Sequence, residues 1–324
     1  MKFKIEFDIV PFVSKINPDD KLFFAGSCFS ENIASLFEKY KIDIVSNTHG
    51  ILYNPHSIAG SIFDCIEKKT YTEQDLFYAN ESWNSFNHHS RFSNSDKEKC
   101  LEEINQQIAA AHEQLKTCRH IFITFGSAFV YKHIESKKLV GNCHKVAQKQ
   151  FEKLLLNKEE IVGQYNKLLQ RLKEIKPDTT IIFTVSPVRY VRDGVSENNL
   201  SKAVLLQAVH ELVAAHEYCF YFPSYEIVND ELRDYRFFEA DMVHPNQLAI
   251  DYVWERLSEV CFSSGTKEMM SELDLILNAA SHKPFNESSE AHKKFKEAYF
   301  KKCDELKTKF PHLDLGREQK IFTI

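Results

Sequence analysis

No run in this 324-residue chain approaches the ~18 apolar residues that a membrane-spanning helix needs, so no membrane association is expected. The first residues, Met1-Lys2-Phe3-Lys4-Ile5-Glu6-Phe7-Asp8, lack the apolar stretch of an export signal. They alternate polar and apolar side chains like an edge strand, and the expected compartment is the cytoplasm. Basic excess is also missing: the formal charge is −5, the wrong sign for a nucleic-acid binder. Lysine pairs such as Lys68-Lys69 and Lys137-Lys138 read as solvated surface. None of the eight cysteines forms a C-x-x-C pair, which argues against a zinc ribbon or a redox motif. Cys143-His144 and His88-His89 are immediate neighbours, which rarely face one ion together, so no metal is expected. Low-complexity tracts are absent. What the chain has in quantity is aromatic rings, 26 Phe and 13 Tyr, the stock of a ring-rich core or pocket.

Five apolar runs read as central strands: 23–25, 42–45, 121–125, 181–185 and 220–222. Helical periodicity lies between them. Leu101, Ile104, Ile108, Ala111 and Leu115 mark one face, Leu155, Ile161, Tyr165 and Leu168 a second, and 203–213 forms a third helix. Strands alternating with helices imply a parallel sheet covered on both sides, hence a three-layer α/β/α sandwich of about five strands. Two regions stand outside this repeat. Residues 70–96 form a polar, aromatic-studded insertion that suits either a wall or lid over a site or a loop packed by its own rings. Beyond Ser264-Gly265, residues 267–281 and 288–309 read as helices. The second carries Phe295, Tyr299, Cys303 and Leu306 on one stripe, so 263–324 is expected to be a helical extension packed on a 1–262 domain.

Chemistry concentrates at two points. Gly26-Ser27-Cys28-Phe29-Ser30 follows the first apolar run and opens a helix over 31–40. A strand that turns through glycine into a helix delivers the next side chain to the carboxyl edge of the sheet. There the helix amides can receive an oxyanion. Ser27 is therefore a candidate nucleophile, although a turn with a capping serine has the same pattern. Asp241-Met242-Val243-His244 near the other end spaces a carboxylate to hold one ring nitrogen while the other faces a nucleophile. A helix with Ile250, Val253, Leu257 and Val260 on one face follows.

In order along the chain, GSCFS, HGILYNP, FGSAFVY, NCHK, TVSPVR and DMVHPN resemble the GSCFA family, which is grouped with the SGNH/GDSL hydrolases. The resemblance spans roughly residues 2–262 and implies the flavodoxin-like strand order 2-1-3-4-5. It matches Ser27 to the nucleophile, Asp241 and His244 to the acid–base pair, and Ser27 and Gly50 to oxyanion amides. The Gly-x-Asn usual after the third strand falls at Gly126-Ser127-Ala128, which has no side-chain amide, and leaves Asn142 as the candidate. The implied activity is ester hydrolysis through a Ser-His-Asp triad, on an O-acyl group of a sugar or other polar metabolite. It requires no cofactor. The alternatives are an acyltransferase using the same triad or a non-catalytic ligand-binding protein.

Secondary candidates are Arg189, placed to meet an anionic part of a substrate, and Trp83 and His89 in the insertion. Lys202 lies near a helix start from which it can reach the site. Tyr53 and His56 can line a pocket, whereas Asn54 before Pro55 reads as a helix cap. Cys28 is a rival nucleophile, expected to point into helix packing.

Overall fold

The computed structural model describes residues 4–323. Five parallel strands make the central sheet: β1 (Leu22–Gly26), β2 (Ile44–Ser46), β5 (His120–Phe125), β9 (Thr180–Val185) and β10 (Cys219–Tyr221). Their spatial order is β10-β9-β5-β1-β2, which is the 2-1-3-4-5 arrangement. Side chains alternate across the sheet because successive Cβ atoms point to opposite faces. Leu22, Phe24, Phe122 and Ile182 face one core, and Phe23, Ala25, Ile121, Ile123, Ile181 and Phe183 face the other. Helices α1 (Cys28–Lys39) and α7 (Gln247–Cys261) cover the first face. Helices α2 (Pro55–Ile66), α3 (Lys97–Leu115), α4 (Lys158–Ile175) and α5 (Val195–Ala215) cover the second. The aromatic richness goes largely into these layers. Phe24 and Phe122 stack at 4.6 Å with Phe37 against them, and Phe125, Tyr165 and Phe183 form the counterpart.

Three features differ from the sequence reading. Residues 4–8 are not in a strand, and residues 1–3 of that expected element lie outside the described residues. The N-terminal segment instead hangs on the end of α7, with Phe12 N–H donating to Val260 O and Ile16 N–H to Cys261 O. A second, antiparallel sheet stands where no strands were expected, formed by β6 (Phe129–His133), β7 (Leu139–Val140) and β8 (Phe151–Leu155) in the order β7-β6-β8. Leu155 belongs to β8 and not to α4, which starts at Lys158 behind an Asn157 capping box.

The 70–96 insertion holds the hairpin β3 (Phe77–Ala79) and β4 (Ser82–Asn84) and packs on its own rings and on α3, around Tyr71, Phe92, Cys100, Ile104 and Ile108. At the other end, α8 (Ser264–Ser281), α9 (Glu290–Lys309) and α10 (Gly316–Phe322) follow a one-turn α6 (Ser224–Glu226) and α7. Cys303 and Leu306 of the α9 stripe join Phe37, Met269, Leu273 and Ile276 in one core, so the tail covers the α1 side of the sandwich. A Lys41–Glu318 ion pair at 2.9 Å ties α10 to the turn after α1.

Candidate active site

Gly26 makes the elbow possible. Its φ is +148°, and a Cβ there would lie 2.3 Å from the Thr124 carbonyl oxygen. The turn is clamped on both sides, since Asn47 Oδ1 accepts Gly26 N–H at 2.8 Å and Leu52 N–H donates to Gly26 O at 3.0 Å. Ser27 then occupies the N-cap of α1 with extended backbone, φ −74° and ψ 175°. A serine at that position usually caps the helix with its hydroxyl. Ser27 does not: it is 1% exposed, makes no capping bond, and its Oγ has no hydrogen-bond partner among the described residues. A buried hydroxyl left without a partner costs about 1–3 kcal/mol, so this one is not explained by helix capping.

The surroundings of Ser27 come from three strand ends. Gly126 after β5 lies against it, because a Cβ on Gly126 would be 3.3 Å from Ser27 Cβ and 3.2 Å from the Tyr53 ring. Gly126 N–H and Ser127 N–H both donate to Tyr53 O, at 2.8 and 2.9 Å, which fixes Tyr53 beside the elbow. Burial pushes the Tyr53 phenol up to about 12 and also raises the Cys28 thiol, so neither is ionised near neutrality. Cys28 is half-buried rather than packed away, but a raised thiol is a poor rival nucleophile. Beyond Tyr53 opens a cavity of about 560 Å³ whose walls are Tyr53, Ser127, the second sheet through Phe129 and Tyr131, and Tyr190 and Arg192 after β9.

Asp241 and His244 are built as a self-contained pair. Asp241 Oδ2 accepts from His244 Nδ1 at 2.7 Å, and Asp241 Oδ1 accepts the Val243 and His244 amides at 2.9 and 3.0 Å. Those bonds, the His244 amide foremost, hold the Asp241 carboxyl down to about 2. Both side chains are about half exposed. The loop is fastened to the sheet edge by Arg189 N–H donating to Val243 O at 3.4 Å. Ser27 Oγ and His244 are not hydrogen-bonded to each other here.

The remaining expected residues separate. Gly50 donates its N–H to Asn47 O at 2.6 Å and sits under His89, where a Cβ would be 2.3 Å from the His89 Cβ. Its amide is thus occupied by its own turn and not offered to Ser27. Ser27 N–H makes only a long 3.3 Å bond to Thr124 O. Asn142 lines the cavity and accepts His144 N–H on its Oδ1 at 2.8 Å. Arg189 is turned to Asn229 Oδ1, with Nε at 3.3 Å and Nη2 at 3.2 Å, and lies over Phe238, a structural partnership. Trp83 packs on Tyr78 with Lys97 over its ring, and His89 accepts Arg91 N–H, so both serve the insertion's own packing. Asn54 caps α2 through Ser57 N–H, as its place before Pro55 indicates.

The profile of the GSCFA family matches residues 21–257. The chain belongs to the GSCFA family. A second profile, the C-terminal domain of GSCFA domain proteins, matches residues 273–324. Among curated proteins, none matches this chain. Solved structures similar to it include a family 3 carbohydrate esterase of Clostridium thermocellum, at 9% identity and TM-score 0.36, covering 78% of this chain and 98% of that one. Another family 3 carbohydrate esterase, from Talaromyces cellulolyticus, has 9% identity and TM-score 0.35 over 79% of this chain and 98% of that one. An acetyl xylan esterase of the rumen bacterium Butyrivibrio proteoclasticus has 14% identity and TM-score 0.37, with 78% and 66% covered.

One feature of this GSCFA protein's site was missed in the sequence, and one secondary candidate, Lys202, is buried beyond what its place near a helix start indicates. The second sheet, which walls the cavity, has strands too short and too polar to announce themselves. Lys202 is placed in the second turn of α5 and is 2% exposed. The signal for it was there: Asn198, Ser201, Lys202, Leu205, Ala208, Val209 and Leu212 lie at helical spacing on the buried face of α5.

Proposed function

We propose that this GSCFA protein is a serine hydrolase of the SGNH type that cleaves an ester, with Ser27 as nucleophile. The observation that carries the reading is the Ser27 hydroxyl, held at a helix N-cap, buried, yet neither capping nor bonded to any described residue. In this reading Ser27 Oγ attacks the acyl carbon and passes its proton to His244, while Asp241 keeps the imidazole in the tautomer with Nε2 free. His244 must come within hydrogen-bond reach of Ser27 when substrate binds, a tightening that unliganded sites often show. The oxyanion falls to amides in the first turn of α1, with the Asn142 side chain as a further donor; the Ser27 amide joins them by leaving its long bond to Thr124 O. These amides are available because the first N–H groups of a helix have no intrahelical acceptor. His244 gives the proton taken from Ser27 to the alcohol oxygen as the ester C–O bond breaks. It then takes one from the water that attacks the acyl-enzyme, so that the acid leaves and Ser27 recovers its hydroxyl.

The alcohol part of the substrate is assigned to the 560 Å³ cavity beside Tyr53. Its ring walls together with Asn142 and Arg192 suit a polar ring such as a sugar bearing an O-acyl group. A cytoplasmic site of action goes with this reading, as does hydrolysis in preference to transfer to a second alcohol. The test is labelling by a fluorophosphonate probe. The folded wild type is expected to label at Ser27 and Ser27→Ala to stay unlabelled; equal labelling of both, or none of the folded wild type, overturns the assignment.

A further inference from the structure

Lys202 is the buried charge that the proposed chemistry leaves unused. Its ammonium donates to Gly126 O at 2.7 Å and to Ser186 O at 2.6 Å, the residues that directly follow β5 and β9. The adjacent Ser201 holds the same turn, its Oγ accepting Ala128 N–H at 2.7 Å. Gly126 in turn lies against Ser27. The side chain therefore reaches from the buried face of α5 to the floor of the elbow, and only one residue intervenes.

No carboxylate balances it among the described residues. From the elbow the ionisable neighbour is the Cys28 thiol, and from α6 it is the Tyr225 ring, 5.9 Å from Nζ. Glu226 on α6 is bonded to Tyr221 OH at 2.7 Å, and Asp193 before α5 is paired with Lys153 at 2.6 Å. A buried cation held only by two carbonyls is expensive, and replacing such a group by an apolar side chain commonly stabilises a fold. Two carbonyl acceptors also leave one ammonium N–H unspent. The charge has a use if an anionic group forms next to it.

We propose that Lys202 is the positioning cation of the Ser27 elbow, supplying the fixed positive charge that favours an acyl oxyanion or a carboxylate product bound there. This rests on the reading of Ser27 as the nucleophile. The lysine does not touch the reacting atoms in this structure; it acts through Gly126 and through its field. Burial brings the ammonium down to about 7, with the Cys28 thiol as the one opposing influence, so the charge is present below that pH and is lost above it.

The experiment measures the rate of Ser27 phosphonylation by a fluorophosphonate between pH 5.5 and 9 in wild type, Lys202→Met and Lys202→Arg. It also measures, by peptide mass spectrometry, the rate of Cys28 alkylation by iodoacetamide. Wild-type phosphonylation is expected to decline above about pH 7. Lys202→Met should label at least about tenfold more slowly at pH 6 and show no such decline, because a charge in a dry site is worth at least that. Lys202→Arg keeps a charge that does not titrate, so it should retain the rate and lose the decline. If Lys202→Met does not fold, the Lys202→Arg profile decides alone. Wild-type rate and profile in either folded variant overturn the proposal. If wild type is folded but unlabelled, the nucleophile reading fails separately, and Cys28 decides for Lys202. Severalfold slower alkylation in Lys202→Met at pH 6, where the wild-type ammonium is charged, supports a field at the elbow, and equal rates there overturn it.

Discussion

Two buried polar clusters flank the strand ends of this protein, and they differ in how far their charged and titratable groups are paired with one another. Behind the Gly50 turn, Asp64 accepts from His49 Nε2 at 3.0 Å and from Tyr71 OH at 2.6 Å, while Asn87 donates to Tyr71 at 2.9 Å. His88 stacks on His49 at 4.2 Å and is bonded through Nδ1 to Ser85 Oγ, while its Nε2 has no partner among the described residues. In this cluster the acid, its two donors and the next amide are linked in one chain. At the elbow, among the described residues, Ser27 Oγ has no partner and Lys202 has carbonyls but no counter-charge. The first cluster fastens the insertion to the sandwich. The second leaves groups unpartnered among the described residues, which on the proposed reading is where the substrate binds.

The sharpest break of this contrast is Ser27→Ala. It should abolish phosphonylation and ester hydrolysis, a loss of at least about a thousandfold, with the melting temperature unchanged or slightly raised because an unpartnered hydroxyl is removed. Loss of fold in this variant would refute the contrast. Gly26→Ala is next. Its Cβ would enter the Thr124 carbonyl, so the chain should lose on the order of 2–4 kcal/mol in denaturant unfolding together with its labelling.

Asp64→Asn should cost roughly 2–3 kcal/mol with Ser27 labelling kept, since it breaks the partnered cluster and leaves the elbow intact. Its pH dependence follows from burial and bonding. Burial holds the His49 and His88 imidazoles below the usual range against any help from Asp64, so the folded state must expel their protons. Burial also opposes ionisation of Asp64, but the His49 and Tyr71 bonds outweigh it and hold the carboxyl below its ordinary value. In all three cases the unfolded chain binds protons more readily, so stability is full above about pH 6.5 and falls on acidification. The histidines govern the fall first and Asp64 follows below about pH 4. Melting temperatures across pH 3.5–8 should show this decline in the wild type and less of the second part in Asp64→Asn.

Lys202→Met should have the opposite sign. The wild-type ammonium, near 7 when folded and near 10.4 when unfolded, penalises the folded state most below pH 7. The variant should therefore melt a few degrees higher at pH 6, with the gap closing as pH rises towards 10. The smallest effect is expected from Tyr53→Ala, a severalfold rise in KM for a sugar ester with little change in kcat, as it removes a cavity wall but not the elbow.

Much of the fold was legible. Each central run became a strand within two residues, because fully buried parallel strands are continuous apolar runs bounded by turns. The Ser27 elbow and the Asp241–His244 pair were legible because both are local: glycine, serine and an acid three residues before a histidine write their geometry into adjacent positions. Gly50, Arg189, Trp83 and His89 read as site residues yet were drawn into local bonds and packing, since a polar residue near a strand end has no sequence mark separating the two uses. The β6–β8 sheet escaped because β6 and β8 mix charged with apolar residues and pair across a long gap, while β7 is only two residues long.

By itself the sequence determined the layers, the family and the geometry of the elbow, since these rest on periodicity and short spacings. Only the tertiary structure decided that the Ser27 hydroxyl goes unused as a cap, that the Gly50 amide is already committed, and that Lys202 stands uncompensated beneath Gly126. Burial and hydrogen-bond satisfaction are sums over neighbours distant in the chain, and no local pattern carries them.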